Sequence, residues 1–419
     1  SLAAPSLAPL TALHLASDKP PVRSAGLTAA RRRFKSVRKL PRVQIANGTL
    51  YASCPADDGC ASIEHELRTL QLLLRVSRVG DADFFFDASE RPCYVSGKAR
   101  KKSDGDEIVT RVPVVTRETA DGCDLNILSP PRALAALPDG ARWLARADAD
   151  PAAWAAARRN LVVWRGGATA RTGMFAADGV TPRSVRAKAV ALSMARPDLL
   201  DARFAGRNDD LQLSKKERAA VRELGWMAAD GKGFLTWRQL ETYRASLVLD
   251  GNTLPDRLPF SLFTMTAVLK QESPLREAWY SLLKPYVHYI PVKHDLSDLE
   301  SQLQWALSNA TRLHTIAANG AKLAMRHLSR RGQLCHWSSL LQSLSEHTAR
   351  PIVLERNAKR VEGGGSMLFG GRVLHNPLAS ALRPQLTGRP PSWRDLEAVR
   401  YLRIAPCVEG ARGHLCLDV

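Results

Sequence analysis

Ala245–Lys293, ASLVLDGNTLPDRLPFSLFTMTAVLKQESPLREAWYSLLKPYVHYIPVK, is the stretch whose reading decides the fold. Ser246–Leu249 is an apolar run of strand length, Asp250-Gly-Asn-Thr253 has turn chemistry, and Pro255 suits the first position of a helix. The stretch therefore reads as strand, turn, helix, strand and loop. It places Arg257 in the first turn of the helix, where a cation opposes the helix dipole. An anion such as a phosphate between Arg257 and the helix N-terminus resolves that conflict; a solvated arginine is the alternative.

Working outward, the same alternation recurs on both sides. Toward the N-terminus, Val43–Ile45 and Thr49–Tyr51 read as a hairpin, Ile63–Ser77 as a helix with leucines at helical spacing, and Asp83–Phe86 as a buried strand ending in the loop Asp87-Ala-Ser-Glu-Arg-Pro92. Lys98–Glu107 reads as a charged, exposed linker, Val109–Val115 as a strand and Ala133–Arg158 as alanine-rich helix. Asn160–Trp164 is a second apolar strand that stops at Arg165-Gly166-Gly167, where glycines let backbone approach a ligand and arginine offers a fork for phosphate oxygens. A helix over Ser184–Arg196, a strand near Asp201–Phe204 and a helix over Ser214–Leu224 continue the pattern. After Lys293, Asp295 and Asp298 read as caps for a helix over Leu299–Leu307, with a longer helix over Ala310–Leu328. Loops at strand carboxyl ends hold the chemistry of such α/β layers.

Composition narrows the class. The chain has 419 residues, enough for two cores, and no apolar run of membrane-spanning length. Its formal charge of +19 permits nucleic acid, a polyanion, a membrane surface or a phosphorylated substrate as partner. Apart from Arg31–Lys39 the basic residues are dispersed and no nucleic-acid motif occurs, so nucleic acid is not the expected partner. Residues 1–30, rich in Ala, Pro, Ser and Leu, read as a linker or stem, with order expected from Pro41. Asp81-Ala-Asp83 and Asp148-Ala-Asp150 are short matches to a manganese-holding pair, but neither is taken as a metal site; a calcium-loop imitation over 230–241 lacks oxygen ligands and is rejected. Seven cysteines show no CxxC spacing. Cys54 with Cys60, and Cys407 with Cys416, flank turns and suit local disulfides, leaving Cys93, Cys123 and Cys335 unassigned. Together with the glycosylation acceptors Asn47-Gly-Thr49 and Asn309-Ala-Thr311, they point to an oxidising compartment.

Several blocks fall in one order: Trp164-Arg-Gly-Gly167, Ala267-Val-Leu-Lys-Gln-Glu-Ser273, Glu277-Ala-Trp279, Leu283-Lys-Pro-Tyr-Val-His-Tyr-Ile-Pro-Val-Lys293, Asp295–Leu299, Asn319-Gly320 and Cys335-His-Trp337. Over roughly Val43–His347 they resemble the family 90 glycosyltransferases, the group of the Rumi-type protein O-glucosyltransferases and the fungal capsule xylosyltransferases. The resemblance implies an α/β, GT-B-type enzyme: two Rossmann-like domains, over 41–150 and 151–347, face each other across a cleft, with a stem over 1–40 and an appendage over 348–419. It implies inverting transfer of xylose or glucose from a UDP-sugar to a hydroxyl of a glycan or protein acceptor, without a metal or other cofactor. Arg165, Gly166, Gly167, Arg186, Asp250, Gly251, Arg257 and Glu277 are the residues it carries over to UDP-sugar binding, with Arg171 or Arg183 able to substitute for Arg186.

Inversion needs a base, and the family places an aspartate just before a proline on the loop after an amino-domain strand. Counting back from Pro92 puts Glu90 there, with Asp87 as fallback. The chain departs from the family at Gly167-Ala-Thr-Ala-Arg171 and ends without an ER-retention tetrapeptide. The Golgi or ER lumen is expected, with any membrane attachment through a stem or anchor outside this chain. The changed base and the +19 charge leave a second reading, a glycan- or polyanion-binding member of the fold that has lost catalysis.

Overall fold

A computed structural model describes residues 23–361 except 34, 56–59, 91–92, 96–100, 103–104, 107, 110–113, 124–125, 131–147, 170–172, 180, 207–212 and 229–232, together with four short strands between 367 and 416. The chain divides into two compact units, Ser1–Arg132 with Arg330–Val419, and Ala133–Ser329.

The first unit begins earlier than its composition suggests. Helix α1 (Ser24–Arg33) lies in the stretch read as a stem. Leu27 and Ala30 bury beside Phe85, and a buried ion pair fixes the helix start: Ser24 Oγ donates to Asp83 at 2.7 Å, while Arg42 donates to both Asp83 oxygens and to the Ser24 carbonyl. Asp83 thus sits inside a strand as a structural partner.

Strands β1 (Arg42–Ala46) and β2 (Thr49–Ser53) form the expected hairpin across Asn47-Gly48, both at positive φ as a two-residue turn requires. Helix α2 (Glu64–Val76) then leads to β3 (Ala82–Asp87). Phe84 and Phe86 face one apolar cluster and Phe85 another, which explains why the run is apolar without alternation. β4 (Val114–Thr116) and β5 (Asn126–Leu128) complete the parallel edge of the sheet. Within the supposed linker, Lys101–Lys102 pairs antiparallel with Gly105–Asp106. Cys54–Cys60 and Cys93–Cys123 are bridged, and Cys335 forms no disulfide among the described residues; Cys407 lies outside the described residues.

The second unit is a doubly wound layer. Asp150 caps α3 (Pro151–Ala156) by accepting from Ala153 N at 2.8 Å, so it serves a helix start rather than a metal pair. Next come β6 (Arg159–Gly166), α4 (Val185–Ala195), β7 (Leu200–Phe204), β8 (Tyr243–Val248), α5 (Arg257–Phe263), β9 (Ala267–Gln271) and β10 (Ile290–Val292). All five strands are parallel, in the order β7-β6-β8-β9-β10. Helices α6 (Leu299–Ser308) and α7 (Ala310–His327) follow. The expected caps of α6 are not made: Asp298 turns to accept from Lys293 N, and Asp295 from Ser297 N.

Two later elements belong to the first unit, not where the sequence reading put them. In helix α8 (Arg330–Glu346), Leu334, Trp337, Leu340 and Leu341 bury with Phe84, Phe86 and Leu67. The strand β11 (Lys359–Arg360) pairs with β2, giving the mixed sheet β5-β4-β3-β1-β2-β11. Only its β5, β4 and β3 run parallel, so this unit is less Rossmann-like than expected. Residues 350–361 therefore continue a core instead of opening an appendage.

Candidate functional site

In the second unit the chain leaves β6 toward β7 on one side and returns to β8 on the other, so the order of connection reverses between β6 and β8. A crevice opens outside the carboxyl ends of strands at such a reversal, and ligands of open α/β sheets bind there. The turns at those two ends are Gly166-Gly167 and Asp250-Gly251.

Arg186, in the first turn of α4, ties the two turns together. Its Nε donates to the Asp250 carbonyl at 2.9 Å, and Nη1 donates to the Gly167 carbonyl and to Thr169 Oγ1 at 2.8 and 2.6 Å. Burial pushes its pKa down to about 10, opposed by Asp250. Gly251 must be glycine: a Cβ there would stand 2.5 Å from Arg186 Nη2 and 2.7 Å from Thr169 Oγ1. Arg183, the named substitute, is exposed and contributes its backbone to Met174, and Arg171 lies outside the described residues.

Arg257 differs. Among the described residues its guanidinium makes no hydrogen bond; it lies over the Trp164 ring, Cζ 5.6 Å from the centroid. Burial, then the Arg186 charge, pushes its pKa down to about 9, with Asp256 opposing. A guanidinium keeps its proton at neutral pH, so the shift reports a poorly compensated cation. Gly166 gives it room, since a Cβ would meet Trp164 Cζ2 at 2.6 Å and Arg257 Nη2 at 2.9 Å. Helix α5 spans only seven residues, so the guanidinium carries more of the site's positive charge than the helix end does.

Arg165 takes another role. It lines the same cavity, of about 400 Å³, yet its donors are engaged: Nη1 with the Asp201 carbonyl at 2.7 Å and Nη2 with the Asp201 carboxylate at 2.9 Å. Burial would raise the Asp201 pKa, but Arg165, then Tyr243, hold it below the usual carboxylate range. Arg165 therefore fixes β6 against β7. Glu277 accepts from its neighbour Trp279 Nε1 and, with Asp250, offsets the charge of the buried Lys270.

The carboxylates proposed as base belong to the first unit. Asp87, at the end of β3, is buried and fully engaged, accepting from Tyr94 OH at 2.6 Å and from Ser89 N at 2.8 Å. Burial, then Asp87 itself, raises the Tyr94 pKa, so the phenol stays a donor. Glu90 is exposed on the following bend.

Sequence reasoning did not single out Ser246 Oγ or Trp164 Nε1, which are buried without a hydrogen-bond partner among the described residues. A hydroxyl inside the apolar run Ala-Ser-Leu-Val-Leu249 was the available signal.

The family model of glycosyl transferase family 90 matches residues 146–368. The chain belongs to glycosyltransferase family 90. Protein O-glucosyltransferase 3 of Mus musculus is 33% identical over 176 residues, covering 42% of this chain and 33% of that protein. Protein O-glucosyltransferase 2 of Danio rerio is 36% identical over 104 residues, 25% of this chain and 21% of that protein. An uncharacterized protein, 027R, of Frog virus 3 (isolate Goorha) is 32% identical over 221 residues, 50% of this chain and 22% of that protein. The chain thus spans a third or less of the length of each of these relatives.

Proposed function

We propose that this family 90 chain is an inverting glycosyltransferase that moves glucose or xylose from a UDP-sugar to a hydroxyl of a glycan or protein acceptor. The observation that carries this reading is Arg257, a cation without a hydrogen-bond partner among the described residues, beside Arg186 at the reversal of the sheet. Two guanidiniums that raise each other's energy form a site that a diphosphate relieves. The reading takes the two units as the halves of a GT-B enzyme, with donor held by the second.

The acceptor oxygen attacks the anomeric carbon as the bond to the UDP oxygen breaks. UDP departs with the electron pair, its charge met by Arg257, while the acceptor proton passes to the Glu90 carboxylate. Arg186 holds the two turns, and guanidinium charge stands where other sugar transferases use a metal ion. Two disulfides support the lumen of the secretory pathway as its place of work, and no described helix is long and apolar enough to cross a membrane.

Release of UDP from UDP-glucose and UDP-xylose, measured in EDTA with and without acceptor, tests the assignment. Turnover in EDTA is the expected result. A protein that binds glycans but shows no affinity for UDP would favour the binding-only reading drawn from the +19 charge.

A further inference from the structure

The second unit has a groove at the edge of its sheet away from the donor crevice, and that groove holds a motif the transfer reaction does not use. Tyr286 and Val287 stand just before β10, at the amino-terminal end of that strand, whereas the crevice opens at carboxyl ends. With the junction of α6 and α7 they line a cavity of about 720 Å³. Each of the two side chains is 39% exposed. Tyr286 is held there at φ 57°, a left-handed conformation uncommon for an aromatic residue.

Asn309 and Thr311 of the acceptor motif Asn309-Ala-Thr311 line the same groove, and both are exposed. Trp305 joins the motif to the aromatic platform. Its carbonyl accepts from Asn309 Nδ2 at 2.7 Å, and its ring meets that of Tyr286 edge to face, with centroids 5.5 Å apart. Gln302 Nε2 donates to the Tyr286 hydroxyl at 3.1 Å and braces it. A pyranose presents a face of C–H bonds and a rim of hydroxyls, and an exposed aromatic ring with Arg312 and Asn319 in the same lining complements both.

We propose that Asn309 carries an N-linked glycan whose first sugars lie along this groove and cover Tyr286 and Val287. The inference rests on the lumenal placement above and not on the sugar-transfer reaction. Asn309 Nδ2 attacks C1 of an oligosaccharide linked to a lipid pyrophosphate. The bond from C1 to the phosphate oxygen breaks, the lipid pyrophosphate leaves with the electron pair, and one amide proton passes to a base of the oligosaccharide-transferring enzyme. Nδ2 keeps its other hydrogen, and with it a donor for the Trp305 carbonyl. A glycan rooted at this edge leaves the crevice of the second unit open to its ligand.

Peptide mass spectrometry of the full chain, expressed into the lumen of a eukaryotic secretory pathway, tests occupancy, and the melting temperature tests packing. Thr311→Ala abolishes the acceptor motif and keeps Asn309 with its bond to Trp305. The Asn309 peptide is expected to be glycosylated, and Thr311→Ala should lose that glycan and melt about 2–4 °C lower, with UDP release unchanged. Trimming the wild-type glycan to its first sugar with an endoglycosidase should keep most of the stability. Tyr286→Ala should lower the melting temperature more in the glycosylated protein than in Thr311→Ala, because only the former loses a contact with the sugar. An empty Asn309 in a chain whose Cys54–Cys60 and Cys93–Cys123 bridges have formed overturns this proposal alone. Equal losses for Tyr286→Ala in both backgrounds, or an unaltered melting temperature in Thr311→Ala, would mean a glycan that hangs free in solvent and would overturn it too. If the bridges are absent and both Asn47 and Asn309 are empty, the lumenal placement itself fails and the proposal falls with it.

Discussion

Each unit pairs one locked charge with one open charge of the same sign. At the end of β3, Asp87 has both oxygens occupied by Tyr94 and Ser89, and Glu90 three residues on is exposed. At the ends of β6 and β8, Arg186 is spent on backbone carbonyls and Thr169, and Arg257 makes no hydrogen bond among the described residues. Occupied charges build the turns and open ones are available to substrate, so partners separate the two roles where residue type cannot. Arg165, a cation at a strand end bonded to Asp201, falls with the locked group.

The largest effect that could break this comparison is at Glu90. Glu90→Gln should lower turnover by about 10²–10⁴-fold with UDP affinity unchanged, read by UDP release. Full activity there, with loss in Asp87→Asn, would reverse the two roles. Arg257→Gln should cost about 10²–10³-fold in turnover and weaken UDP binding, without lowering the melting temperature, since the cation it removes is poorly compensated. The locked group should show the opposite signature. Tyr94→Phe, which leaves a buried Asp87 oxygen short of a donor, should cost about 1–3 kcal/mol in denaturant unfolding and spare the chemistry.

The smallest effect is one of pH, away from both charge pairs. Burial, then Arg326 and His288, push the His327 pKa down to about 4. The unfolded imidazole titrates near about 6.5. Between those values the unfolded chain binds the extra proton, so stability is full above the upper value and is lost as pH falls through the window. Partial exposure of His327 discounts the effect, and a fall of roughly 2–4 °C in melting temperature between pH 7 and 5 is expected, flattened in His327→Gln.

Local chemistry was readable from the residues. Asp250-Gly251 after an apolar run announced β8 and its turn; Arg186 packs against that turn, with Arg257 beside Arg186. What stayed hidden depended on partners distant in sequence. Arg165 resembled a phosphate ligand because Asp201 stands 36 residues away. Residues 24–33 resembled a stem because the Asp83–Arg42 pair that holds them is encoded later. The block Cys335-His-Trp337 in α8 was legible as part of the family resemblance, but could not say which core Trp337 and the neighbouring leucines would join. A side-chain atom without a partner, such as Trp164 Nε1, has no sequence signal at all.

The return of α8 and β11 to the first unit sets an order of events during synthesis. Everything the second unit needs has been synthesised once Ser329 is made, so its sheet can close while the first unit is unfinished. Until Trp337 arrives beside Phe86, with ring centroids 6.4 Å apart, the face shared by β3 and α2 has no cover. A chain stopped after Ser329 would carry a finished second unit attached to a first unit with an open apolar face, the kind of species that chaperones retain and concentrated solutions aggregate.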